Sequence, residues 1–177
     1  MLRKFFLFNS FLLLFHLPLF AKELYFMPQD QKKAISAILF NIKNSHKTLD
    51  IAIYSFTNRE ISKAIRDAAK RGVKVRIVYD KSANKDLTQS TLGYLAKLNN
   101  IEACTLSGLR SKNGKYFGLM HTKMAIIDDK TLILGSANWS KSAFETNYET
   151  LLLLNDKDFI KKANIAFKDM FLKCQKY

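Results

Sequence analysis

Within residues 121–138 the chain carries His121, Lys123, Asp128, Gly135, Ser136 and Asn138, set among the apolar runs Met124–Ile127 and Leu132–Leu134. Together they offer an imidazole, an ammonium, a hydroxyl and an amide. A phosphodiester undergoing displacement needs a nucleophile or acid, a positive charge, and neutral donors for its equatorial oxygens. Alone, a His-x-Lys pair is ordinary strand sequence and Gly-Ser-x-Asn an ordinary turn. Joined at this spacing they point to phosphoryl chemistry. The pattern occurs once. In-line displacement needs attack on one side of phosphorus and proton donation on the other. One His121 cannot serve both sides in the first step, so a homodimer with one shared site is expected.

The elements around these residues follow from side-chain alternation. Successive residues of a strand face opposite ways. A strand over 121–127 puts His121 and Lys123 on one face and leaves Asp128 on the other. The polar Asp128-Asp129-Lys130 then predicts a hairpin into the second run. Gly135 permits a tight bend or close approach to a ligand. Ser136 and Asn138, two apart, share a face if the chain stays extended.

The rest of the chain alternates strand and helix. Strands are expected at 24–27, 48–54, 73–79, 101–106 and 149–154. Helices are expected over 29–44, from the N-cap Asn58 to Arg71 with Gly72 as its stop, over 88–99, and over 156–174. Residues 107–120, rich in glycine and cations, predict a loop. Such alternation predicts a layered α/β domain. No internal repeat or linker interrupts it after residue 22.

The chain has 177 residues and a net charge of +14, enough for one domain of ordinary size. Its start is basic (Arg3, Lys4), then apolar from Phe5 to Phe20, then Ala21 before Lys22. That layout predicts a secretory signal peptide over 1–21. Leu19 is large for a cleavage site, so an uncleaved membrane anchor is the alternative, although the run falls short of the roughly 20 residues that span a bilayer. Loss of 1–21 removes two cations and no acid, which leaves a surplus of 12 positive charges. A polyanionic partner or an anionic membrane surface is implied. Export makes the enzyme periplasmic, secreted or membrane-associated. Cys104 and Cys174 are the only cysteines, either a disulfide or two separate thiols. No Cys/His cluster predicts a metal site.

The motif His121-x-Lys123, Asp128, Gly135-Ser136-x-Asn138 resembles the signature of the phospholipase D superfamily. Three further segments match the pattern of its single-motif, Nuc/NucT-type bacterial endonucleases: Asp50–Thr57, Ala69–Asp80, and Asn147-Tyr148-Glu149 before an apolar strand. The resemblance covers nearly all of residues 22–177. It implies an αβα-layered phospholipase D-type fold, a mixed β-sheet flanked by helices, and a two-fold dimer with both motifs in one cleft. It also implies that one His121 attacks phosphorus to form a phosphohistidine. The second His121 protonates the leaving oxygen and later activates water, a division of roles that suits imidazole near neutrality. Lys123, Ser136 and Asn138 then hold phosphoryl oxygens, and Glu149 orients His121. Asp128 and Gly135 are structural, and no metal or cofactor is called for.

In the expected loop, Arg110, Lys112 and Lys115 interleave with Tyr116 and Phe117. Cations beside aromatics suit a single strand of nucleic acid, whose bases stack while its backbone is neutralised. A mobile solvated loop is the bland alternative. Trp139 either stacks on a base or packs beside the site. The expected function is therefore a metal-independent endonuclease, preferring single-stranded DNA and able to take RNA or double-stranded DNA. A phospholipase D acting on an anionic lipid such as cardiolipin, or a non-catalytic DNA-capture protein, are the alternatives.

Overall fold

Nine strands share one sheet in a computed structural model that describes residues 22–85 and 87–177. The expected leader, 1–21, lies outside these residues. In chain order the central elements are β1 (Lys22–Met27), α1 (Gln31–Lys43), β2 (Thr48–Ile53), α2 (Arg59–Lys70), β3 (Lys74–Asp80), α3 (Lys81–Asn84) and α4 (Leu92–Leu95). They are followed by β4 (Ile101–Arg110), β5 (Phe117–Leu119), β6 (Lys123–Ile127), β7 (Thr131–Gly135), α5 (Lys141–Glu145), β8 (Glu149–Leu154), α6 (Lys157–Lys173) and β9 (Gln175–Lys176). The sheet order is β1-β8-β7-β6-β2-β3-β4-β5, with β9 also on β4. β2, β3 and β4 run parallel, and the other pairings are antiparallel. This is the mixed, helix-flanked sheet that the family resemblance implies.

Burial divides the sheet into two faces. Leu49, Ile51 and Ile53 of β2 pack toward α1 and α2, where Ile38, Ile42, Ile61 and Ile65 are fully buried. Ala52, Val78, Met124 and Ile126 pack toward α6 through Ile160, Ala163 and Phe167. A strand that faces apolar layers on both sides reads as a continuous hydrophobic run, as β6 does. Asp50 is the exception in β2. Arg76, its neighbour across β3, donates to it from Nε at 2.7 Å and from Nη2 at 2.5 Å. The guanidinium lies 5.2 Å from the Phe167 ring and 5.3 Å from Phe171, so the pair also seats α6.

Asn58 caps α2 by accepting from the backbone N–H groups of Glu60 and Ile61. Gly72 follows at φ 96°, a conformation that suits glycine at a helix end. Cys104 and Cys174 form a disulfide, which ties the end of α6 to β4.

Two expectations are corrected, and three short elements are added. The predicted 88–99 helix shrinks to the single turn α4. Ser90 instead donates to Asn84, and Thr91 bonds Tyr79 and the Phe56 carbonyl, so tertiary partners hold the segment outside a helix. α3, α5 and β9 are short elements that periodicity does not reveal. The predicted loop 107–120 is largely an arm: β4 continues to Arg110 and returns through β5, pairing Arg110 with Phe117 and Ser107 with Leu119. Gly108 makes this possible, because a Cβ there would sit 2.7 Å from Leu119 N, against the returning strand.

Candidate active site

The start of β6, the end of β7 and the start of β8 meet at one end of the sheet, as the pairings Met124–Leu134 and Gly135–Leu151 require. His121 stands just before β6, exposed, whereas Lys123 opens the strand and is buried. The expected strand thus begins two residues late, yet the two side chains still meet. Lys123 Nζ lies 3.0 Å from each ring nitrogen of His121 and donates to the His121 carbonyl at 2.9 Å. Burial pushes the Lys123 ammonium below its ordinary range, and the nearby Glu149 carboxylate opposes that shift.

The approach to His121 is pinned from two sides. Asp80, buried, accepts from Met120 N at 2.8 Å. Thr122 O accepts from Tyr54 N at 2.9 Å. The Tyr54 ring packs against His121 with centroids 4.4 Å apart. Neither Tyr54 nor Asp80 stands out as a site residue in the sequence. Both lie in segments that match the family pattern, and that was the available signal.

Ser136 donates to Glu149 Oε2 at 2.5 Å and accepts from Thr150 N at 3.0 Å. Asn147 Nδ2 reaches Glu149 Oε1 at 3.4 Å. Within one chain the hydrogen bonds of Glu149 go to Ser136 and Asn147. Asn138 is partly buried, and its Oδ1 has no protein partner among the described residues. Such an acceptor is costly to leave unpaired. Trp139 is buried edge-on to Phe56 at 5.1 Å, so it packs under the site and offers no face to a base.

Asp128 is spent on the backbone. Its carboxylate accepts from the N–H groups of His46, Lys47 and Thr48 at 2.7–2.9 Å. Burial alone would raise its pKa, but these three bonds override it and hold the carboxyl below its usual range. Asp128 and Asp129 both have positive φ, 53° and 54°, in the tight turn between β6 and β7. Asp128→Ala should thus unfold more easily, by about 2–3 kcal/mol at neutral pH, since three donors lose their acceptor and alanine resists that φ. A depressed carboxyl stabilises the fold above its unfolded pKa, and that contribution fades as pH falls through the folded value. Denaturant midpoints of wild type and mutant should converge toward low pH; a gap that stayed constant would assign the loss to the turn alone.

Gly135 is required by the sheet itself. A Cβ there would collide with Thr150 O and lie 2.9 Å from Thr150 C. The close approach expected of this glycine is to β8, not to a ligand. Tyr116 and Phe117 are 66% and 62% exposed at the end of the arm, beside the exposed Arg110 and Lys115, while Lys112 lies in the connecting turn. No acidic residue occurs between Glu102 and Asp128. Leu119 and Met120 link the arm to His121.

A cleft of about 340 Å³ runs beside the motif, lined by His121, Lys123, Leu134, Gly135, Phe159 and Lys162. A larger cavity of about 470 Å³, around Asn58, Arg59 and Lys141, contains none of the motif residues; chemistry, not volume, selects the site. Among the described residues no three His, Cys, Asp or Glu side chains gather as a metal centre.

An αβα sheet with a histidine–lysine pair and a serine–glutamate pair at one strand end defines a phosphoryl-transfer domain of the phospholipase D kind. The family description "Cardiolipin synthase, PLD-like domain" matches residues 38–171, and the chain belongs to this family. It is similar to NucT from Helicobacter pylori, with 46% identity over 89% of this chain and 99% of that one, and a TM-score of 0.87. It is also similar to Nuc from Salmonella typhimurium, a phospholipase D family member, with 26% identity over 89% and 98% of the two chains and a TM-score of 0.76. The mitochondrial cardiolipin hydrolase of Danio rerio is 30% identical over 82% of this chain and 59% of its own length. The chain spans about half the length of the mammalian cardiolipin hydrolases it matches. The domain is thus a single-motif member of the superfamily, of Nuc/NucT type.

Proposed function

We propose that the domain is an exported endonuclease that hydrolyses phosphodiester bonds of nucleic acid, preferring single-stranded DNA, as a homodimer. The observation that carries this is the acid-free arm, with exposed Tyr116 and Phe117 among Arg110, Lys112 and Lys115, joined directly to His121. Bases stack on aromatic faces while cations neutralise the backbone. The basic and then apolar layout of 1–21 and the Cys104–Cys174 disulfide support export.

In the proposed reaction a ring nitrogen of one His121 forms a bond to phosphorus, and the bond to the leaving oxygen breaks. That oxygen takes its proton from the second copy's His121. Water then attacks phosphorus, gives a proton to the same second imidazole, and the phosphorus–nitrogen bond breaks. Lys123 and Asn138 offer donors to the phosphoryl oxygens. Glu149 holds Ser136 in place and lies near enough to Lys123 to act on its charge. Asn138 Oδ1 has no protein partner among the described residues, which leaves its amide available to a substrate or the second subunit.

Activity should persist in excess EDTA, because paired Lys123 ammonium groups supply the positive charge. The test is labelled single-stranded DNA and cardiolipin vesicles side by side, each with the chelator. Loss of all turnover in EDTA and its return with Mg²⁺ or Zn²⁺ would contradict a metal-free reaction. A second reading, hydrolysis of an anionic phospholipid, is favoured by what the similar cardiolipin hydrolases are named for and by Leu109, 88% exposed on the arm. Turnover of vesicles but not DNA would select it.

Binding to a single strand should weaken with salt, each contacted phosphate contributing about −0.7 to the slope of log K against log salt. Replacing Arg110, Lys112 and Lys115 together by glutamine should flatten that slope by roughly 1–2 units. An unchanged slope would put the arm outside the groove.

A further inference from the structure

We propose that Tyr54 is a positioning residue whose ring serves as a common platform for His121 and Lys123; this rests on the reading of His121 as the nucleophile. The ring centroid lies 4.4 Å from that of His121 at an interplanar angle of 58°, and 5.1 Å from the Lys123 ammonium. One aromatic side chain thus packs against both the imidazole and the ammonium of the motif. The backbone completes the arrangement, because Tyr54 N donates to the carbonyl of Thr122, the residue between them.

The platform is itself braced. Asn84 is buried in α3, and its Nδ2 donates to the Tyr54 carbonyl at 2.6 Å and to the Asp80 carbonyl at 2.9 Å. Its Oδ1 accepts from Ser90 at 3.0 Å. Asp80 in turn holds Met120 N. A single short turn of helix therefore fixes both Tyr54 and the residue that precedes His121.

The chemistry gives this a purpose. His121 is exposed, so without a packing partner its ring would sample several rotamers. Attack on phosphorus needs one orientation, and small misplacements are expensive in rate. As the phosphorus–nitrogen bond forms, the imidazole becomes cationic, and a tyrosine face attracts such a charge as it does the Lys123 ammonium. Both effects act on the attacking group rather than on substrate affinity, so they belong to kcat more than to KM.

The test uses the full chain and bis(p-nitrophenyl) phosphate, a small phosphodiester that needs neither a nucleic-acid nor a lipid groove. Tyr54→Leu should lower kcat by about tenfold or more with KM within about threefold. Tyr54→Phe, which keeps the ring, should recover most of that loss. Thermal unfolding of each variant distinguishes misplacement from misfolding. If Tyr54→Leu does not fold, Asn84→Ala tests the same idea with the ring retained, and should lower kcat several-fold at steady KM. Wild-type kcat in a folded Tyr54→Leu or Asn84→Ala would overturn the proposal. An equal loss in Tyr54→Phe would also overturn it, since the hydroxyl would then be the active group. His121→Ala is run in parallel. Should it retain turnover, the reading of the nucleophile fails; should it be inactive while Tyr54→Leu is unimpaired, only the platform fails.

Discussion

His121→Ala should stop cleavage while the chain still folds and still binds nucleic acid. The side chain is exposed, and its removal opens no cavity in either apolar layer. In a shared two-fold site the substitution removes the nucleophile and the proton donor together. A fall above 10³-fold corresponds to a barrier raised by roughly 4 kcal/mol or more. The lost activity should appear in kcat, with single-strand affinity within a few-fold, because Arg110, Lys112, Lys115 and Lys123 remain. His46→Ala is the matched control. His46 precedes β2, whereas His121 is tethered through Thr122 to Tyr54, just past the other end of the same strand. It engages Asp128 through its backbone N–H, which alanine keeps. Measurable turnover in a folded, contaminant-free His121→Ala preparation would remove this residue from the mechanism.

Mixing wild type with a ninefold excess of His121→Ala, after dissociation and reassociation, should depress activity roughly tenfold below simple dilution, since random pairing makes homodimers of wild type rare. A mixed dimer carries one imidazole and fails at attack or at protonation. The geometry within one chain sharpens the expectation. His121 has Lys123 and Tyr54 beside it, but no second histidine among the described residues, and Glu149 bonds Ser136 and Asn147. Activity that scaled with the wild-type fraction, despite proven exchange, would mean that each chain holds a complete site. A fully active monomer in sedimentation at assay concentration would mean the same.

The motif hairpin was legible in the sequence because its apolar runs, its Asp-Asp turn and its spacing all report local structure. The parallel strands β2 and β3 were legible for a similar reason: both are largely buried and read as mainly apolar runs, each broken by one member of the Asp50–Arg76 pair. The arm was not. Gly108 and Gly118 look like loop residues until the opposing strand is present, and only then does Gly108 prove to be a point of close approach. The 88–99 segment has helical spacing at Leu92, Leu95 and Leu98, yet Ser90 and Thr91 find better partners at Asn84, Tyr79 and Phe56. In the site, His121 and Lys123 could be paired by alternation. Tyr54 and Asp80 could not, because their contacts with residues 120–123 span about forty or more positions in sequence. The bonds of Glu149 to Ser136 and Asn147 were not legible, because a motif gives residue types and order but not hydrogen-bond partners.

The Cys104–Cys174 disulfide makes the durability of this fold depend on where the chain resides. It crosslinks positions 70 apart, and chain-entropy accounts give such a closure about 4 kcal/mol. Whole domains have only about 5–15 kcal/mol to spare. The crosslink fastens α6, which covers one face of the sheet, to β4, from which the basic arm projects. In a glutathione-buffered cytosol the two thiols would stay reduced, and that share of stability would be missing. Copies retained there would open more often and meet proteases more often. Copies that reach an oxidising compartment would gain the crosslink and last. Two cysteines thereby give the chain a form of address checking, in which the fold becomes long-lived only in an oxidising compartment.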